Sequence, residues 1–186
     1  MIYLLRHSID DNTRKGGWSS AELTEEGVKL AQEIVEKLHK LRIDKIVCSD
    51  LVRAKQTCEI INKKLNLPVV FVQDLREFNA GVVSGMKYDE ADRLYPLPPQ
   101  VHKDMNFKYP NGETLGEFKN RVIEFYNNTI KPSDNVLYIT HRNVISVIYN
   151  YINNSEWNFL DKKIIKIQHC SLFAINTIKG QIHKVI

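Results

Sequence analysis

Four short stretches of this chain carry residues suited to the chemistry of an anionic group: Arg6-His7 in "LLRHS", Arg53 in "CSDLVRA", Glu77 in "LRE" and His141 in "YITHRN". A neutral imidazole can act as a nucleophile or move a proton. A guanidinium matches phosphate oxygens in a two-pronged geometry that lysine lacks. Taken singly, each residue has an ordinary reading. A histidine at a strand end is commonly a solvated loop residue, Arg53 a surface ion-pair member, Glu77 a solvated carboxylate and His141 a partner of nearby backbone. Together they differ, because cations gathered with only one carboxylate are costly unless an anion joins them. A phosphoryl group is the natural occupant.

The elements around these residues predict where they meet. Residues 2–5 form an apolar strand. Thr24 before Glu25 and Glu26 reads as an N-cap with carboxylates in the first turn, opening an amphipathic helix over about 25–41. Gly27 stands where a capping box would want a carboxylate. "DKIVCS" predicts a second strand, with Ser49 or Asp50 as N-cap of a helix running to about residue 65, and "PVVFV" a third strand. Residues 79–113 hold "PLPP" and "YPNG" and read as a loop-rich insertion over one end of the sheet. A helix over 115–129, the strand "NVLYIT", a helix over 143–152 and a closing pair near 166–175 and 181–186 complete the chain. This alternation predicts one α/β domain over 1–186, a three-layer α/β/α sandwich with a largely parallel sheet. Ligands of such sheets bind beyond the carboxyl ends of the strands, where all four stretches fall.

Composition narrows the function classes. The 186 residues are 43% hydrophobic and 26% charged, as in an ordinary globular domain, and the net charge of +4 is spread along the chain. No basic stripe marks a nucleic-acid surface, and no long apolar run marks a membrane span. The three cysteines, Cys48, Cys58 and Cys170, have no metal-ligand spacing. No metal cluster or cofactor is expected, the partner is expected to be a small phosphorylated substrate, and a cytoplasmic location is expected. Oligomeric state has no signal.

The segments "LLRHS", "LTEEGVKLAQ", "CSDLVRAKQT", "LREFNAGVVSG", "PNGETLGEF" and "VLYITHRNVI" occur in an order that resembles the histidine phosphatase superfamily, the phosphoglycerate-mutase-like group, over about residues 2–148. The resemblance implies that His7 is the nucleophile forming a phosphohistidine. It implies that Arg6, Arg53 and His141 hold the phosphoryl oxygens. Glu77 is then the proton donor to the leaving oxygen and afterwards the base toward water. Metal independence follows from the same resemblance.

Three departures bear on the substrate. Ser8 stands where family members commonly have Gly, Arg142-Asn143 where many have two glycines, and Val83 where a bulky aromatic is common. Ser8 is expected as a substrate contact through its hydroxyl, or else as a filler of space. Asn143 resembles the mutase branch, and "RKGGWSSAEL" offers Arg14 and Gly17 as substrate contacts. Trp18 either packs the loop or flanks the substrate; Glu113 and Thr114 border the pocket or start a helix. His39 and His102 are expected at the surface, His169 and His183 as structural residues of the closing strands. The short loop between His7 and Trp18 and the modest insertion place phosphatase ahead of mutase, with a non-catalytic phospholigand-binding protein third.

Overall fold

The computed structural model describes residues 1–131, 134–159 and 165–186, the side chain of His102 excepted. Among the described residues six strands form one sheet: β1 (Ile2–Arg6), β2 (Lys45–Ser49), β3 (Val69–Val72), β4 (Val136–Thr140), β5 (Leu172–Asn176) and β6 (Gln181–Lys184). Five α-helices accompany them: α1 (Glu25–His39), α2 (Val52–Leu65), α3 (Tyr88–Leu94), α4 (Leu115–Thr129) and α5 (Arg142–Ile152). The sheet order is β3-β2-β4-β1-β5-β6. The first four of these strands pair in parallel, and β5 and β6 add an antiparallel edge.

Strand residues alternate between two cores, as the two-residue strand period requires. Ile2, Leu4, Val47, Val136 and Tyr138 pack on one face with Phe118, Val122 and Val144 of α4 and α5. Tyr3, Leu5, Ile46, Leu137 and Ile139 pack on the other with Ile34, Leu38, Ala54 and Ile61 of α1 and α2. Three layers result. Each buried aliphatic side chain contributes roughly 1.5–3 kcal/mol, so the sandwich is a stiff frame for the strand ends. Arg6 pairs in register with Thr140, and His7 N–H donates to the Thr140 carbonyl at 2.9 Å. The carboxyl ends of β1, β2 and β4 are therefore adjacent. Residues 75–77 join them through a 3-10 turn, Gln73–Leu75, directly after β3.

Helix starts show where local rules gave way. Thr24 caps α1 by accepting from Gly27 N–H. Gly27 is required by close approach, since a Cβ there would lie 2.0 Å from the Ile9 carbonyl oxygen. The N-cap of α2 is Leu51, which makes no side-chain cap, rather than Ser49 or Asp50. Both expected caps are engaged elsewhere, Ser49 with His141 and Asp50 with Arg76. Thr114 and Glu117 form a full capping box on α4. Residues 79–113 hold two further 3-10 turns and α3, and they furnish Ala80, Val83, Tyr88, Leu97 and Tyr109 to one wall of a cavity at the strand ends. No helix among the described residues is long and apolar enough to cross a membrane.

Candidate active site

The cavity at the carboxyl edge measures about 340 Å³, and Arg6, His7, Arg53 and Glu77 all line it. His7 follows β1 and is 4% exposed. Its Nδ1 lies 2.7 Å from the carbonyl oxygen of Ser8. A carbonyl only accepts, so Nδ1 carries the proton and Nε2 keeps its lone pair. Arg53 Nε donates toward that lone pair at 3.3 Å. Burial, then the charges of His141, Arg53 and Arg6, push the His7 pKa well below the ordinary histidine value. The imidazole is held neutral with one nitrogen available for attack.

The cationic frame is built from three elements. Arg6 ends β1; burial lowers its pKa to about 10, opposed by the charges of Glu77 and Asp10 and assisted by Arg142 and Arg53, so it remains charged at neutral pH. Arg53, in the first turn of α2, is 1% exposed and donates to the Gly17 carbonyl at 2.8 Å. Burial also lowers its pKa. His141, the N-cap of α5, is fully buried with its ring centroid 4.9 Å from that of His7, and it stands behind the cavity surface. Its Nε2 is 2.8 Å from Ser49 Oγ, and burial followed by the charges of Arg53 and Arg6 lowers its pKa well below the ordinary value. His141 Nδ1 and Arg6 Nε are buried polar atoms with no hydrogen-bond partner. Buried polar atoms without partners beside two guanidinium groups fit an anion, whose oxygens would accept from Arg6 Nε and from His141 Nδ1 in the tautomer that protonates it.

Glu77 sits on the far wall. Its Oε1 accepts from Phe78 N–H at 2.8 Å and its Oε2 from Asn143 N–H at 3.2 Å. Its carbonyl accepts from Trp18 Nε1 at 2.7 Å, while the Trp18 ring carries the Arg76 guanidinium at 4.4 Å. Arg76 grips both oxygens of Asp50 at 2.6 Å. Trp18 thus packs the loop and braces Glu77. Glu113 pairs with Arg121 at 2.7 Å and accepts from Asn79 N–H at 2.7 Å, bracing the turn after Glu77, while Thr114 starts α4.

Of the expected substrate contacts, Arg14, Gly17 and Asn143 line the cavity and Ser8 does not. The Ser8 hydroxyl is fully buried and donates to the Gly27 carbonyl at 2.6 Å, which corrects the expectation that it faces substrate. Arg14 reaches the Gly85 carbonyl at 2.9 Å and Asp11 at 3.4 Å. Charged and titratable residues outside the expected set also line the cavity, among them Asp10, Lys15, Arg142 and His169. His169 had been expected to be structural; it precedes β5 and lies edge-on to His7 with centroids 5.5 Å apart. His39 is exposed, as expected; His183, expected to be structural, is an exposed residue of β6, and the His102 side chain lies outside the described residues. His7, Asp10 and His169 bring ligand atoms within 4.8 Å of one another, a grouping without a signal in the sequence because His169 is far from the others in the chain. Arg6 claims His169 Nε2 at 2.8 Å and Arg53 approaches Asp10 at 3.5 Å, so resident cations already occupy this group.

The model for histidine phosphatase superfamily (branch 1) matches residues 2–185. The uncharacterized phosphatase PhoE of Bacillus subtilis is 31% identical over 160 residues, covering 83% of this chain and 78% of that protein. The 2,3-bisphosphoglycerate-dependent phosphoglycerate mutase of Pseudoalteromonas atlantica is 28% identical over 190 residues, covering 82% and 83%. The α-ribazole phosphatase of Shigella flexneri superposes with a TM-score of 0.80 at 20% identity, covering 100% of this chain and 94% of that one, a likeness of fold. Matched by that family model over nearly its whole length, the chain belongs to the histidine phosphatase superfamily.

Proposed function

We propose that the protein is a phosphomonoesterase that hydrolyses a small phosphorylated metabolite through a phosphohistidine on His7. The observation that carries this reading is the Nδ1 contact to the Ser8 carbonyl, which keeps the lone pair on Nε2; the Arg53 Nε–H directed at it at 3.3 Å turns to a phosphoryl oxygen when substrate binds. In the first step Nε2 attacks phosphorus, the ester P–O bond breaks and its electron pair leaves with the alkoxide oxygen. The Glu77 carboxyl supplies the proton to that oxygen. In the second step Glu77 takes a proton from water as the water oxygen attacks phosphorus. The P–N electron pair returns to Nε2, phosphate leaves, and Glu77 is again protonated. Arg6, Arg53 and His141 hold the phosphoryl oxygens in both transition states. The route needs no metal, since guanidinium groups supply the compensating charge. A cavity of about 340 Å³ suits a small ligand, and three buried unpaired cysteines suit a reducing cytoplasm.

The test is turnover of an aryl phosphate by His7→Ala together with acid-quench trapping of phosphate on the wild-type protein. Loss of at least ~10³-fold in kcat and acid-labile phosphate on His7 are expected; full activity of the variant ends the proposal. A mutase reading is favoured by Asn143, which lines the cavity in a segment that resembles the mutase branch, and by the similarity to the Pseudoalteromonas atlantica mutase. Isomerisation of phosphoglycerate outrunning phosphate release would select it. Binding alone has no use for Glu77, which weighs against a non-catalytic ligand binder.

A further inference from the structure

Arg6 is held by a segment far from it in sequence. Its Nη1 donates to the Ile167 carbonyl at 3.0 Å, and its Nη2 lies 2.8 Å from His169 Nε2. A guanidinium has only donors, so Nε2 of His169 is the acceptor and its proton resides on Nδ1. Asp10 Oδ1 lies 3.6 Å from the same Nε2, beyond hydrogen-bond reach, and the other oxygen of Asp10 faces Arg53 Nε at 3.5 Å. Cys170 N–H donates to the Arg6 carbonyl at 3.2 Å, which ties the 167–170 turn to the end of β1. With both terminal nitrogens engaged, Arg6 Nε remains the buried donor without a partner.

We propose that His169 is a positioning residue for phosphate binding, which fixes the Arg6 guanidinium by accepting from Nη2 so that Nε–H is left for a phosphoryl oxygen. His169 itself lines the cavity, as Arg6 does, and is 23% exposed at its side chain, so the pair meets at the wall of the ligand space. The proposal rests on the phosphatase reading for the identity of the ligand. Its test therefore reads phosphate binding, which needs no turnover.

Inorganic phosphate is titrated calorimetrically into the wild type, His169→Leu and His169→Gln, alongside KM and kcat for an aryl phosphate. Leucine fills the space without an acceptor, so phosphate binding and KM should weaken about tenfold or more while kcat changes less. Glutamine can present its Oε1 to Arg6 and should bind phosphate within about threefold of wild type, the margin expected when one hydrogen bond replaces another. Phosphate binding by His169→Leu equal to wild type overturns the proposal, and so does equal weakening in the leucine and glutamine variants. If His169→Leu does not fold, His169→Asn takes its place, since its shorter amide falls short of Arg6. Equal binding by the asparagine and glutamine variants then overturns it. The His7→Ala result tests the reaction separately, because His7 takes no part in the Arg6–His169 hydrogen bond.

Discussion

The Ser8 hydroxyl donates to the Gly27 carbonyl at 2.6 Å, while the Ser8 backbone carbonyl lies 2.7 Å from His7 Nδ1. One residue thus locks the loop after β1 onto α1 with its side chain and sets the tautomer of His7 with its backbone. Ser8→Ala removes the first contact and keeps the second. The expected result is a stability loss of about 1 kcal/mol from the lost hydrogen bond, with kcat/KM on several phosphate esters shifted by a common factor. Denaturant unfolding and a small substrate panel measure both. A change that depends on the leaving group would return Ser8 to the substrate side.

The Ser49–His141 contact at 2.8 Å supports a second expectation. A serine hydroxyl that donates to Nε2 fixes the proton on Nδ1, the buried His141 nitrogen without a partner. Ser49→Ala leaves Nε2 unpaired and frees the tautomer. Vanadate and phosphate inhibition constants should rise about tenfold, the value of one to two hydrogen bonds in a buried site. Unchanged inhibition with lowered stability would reduce Ser49 to a structural role.

The fold was largely legible in the sequence because its signals are local. The strand of residues 2–6, the Thr24 cap and the alternation of strands and helices each follow from period and capping rules. The site was legible as far as strand ends could be read, which covers Arg6, His7, Arg53, Glu77 and His141. Two failures have one physical cause. Ser49 and Asp50 read as helix caps, yet they contact His141 and Arg76 across the fold, where tertiary partners outbid local ones. His169 and Asp10 gave no local signal either, because the antiparallel addition of β5 beside β1 is what brings residue 169 next to Arg6.

Glu77 has different duties in the two steps, so leaving-group dependence can separate them. Glu77→Gln keeps a side-chain oxygen for one of the two backbone donors, Phe78 and Asn143. It cannot give or take a proton. With an alkyl phosphate, kcat should fall by roughly 10²–10⁴-fold, the usual contribution of a general acid. With p-nitrophenyl phosphate the leaving oxygen needs no proton, so a burst of nitrophenol followed by slow turnover is expected as the phosphoenzyme accumulates. Equal losses on both esters without a burst would remove Glu77 from the proton path.

Gly17 has φ +53°, and a Cβ there would lie 2.6 Å from Ser84 Oγ and 3.0 Å from Ala80 Cβ. Its carbonyl holds Arg53 Nη2 at 2.8 Å. Gly17→Ala should therefore cost about 1–3 kcal/mol through backbone strain and crowding, and loosen Arg53 with a matching rise in KM. Loss of stability without any change in KM would show that Arg53 does not depend on this carbonyl.

The buried histidines also set the response to acid. His7 and His141 have pKa values well below the ordinary one, because burial and the neighbouring positive charges oppose protonation. As pH falls through about 6.5, the unfolded chain binds protons at both positions while the folded chain does not. Stability is therefore complete above that pH and declines below it, by on the order of 1 kcal/mol per pH unit for each imidazole until the folded state protonates. Asp50, held low by its hydrogen bonds to Arg76, loses its contribution only at more acidic pH, so the interval from about 6.5 down to 5 belongs to the histidines. Urea unfolding across that interval, in buffers without phosphate, should show a slope that is roughly halved in His141→Asn. Identical slopes for the wild type and the variant would mean that His141 is already protonated in the folded protein, contrary to its pairing with Ser49 inside a ring of arginines.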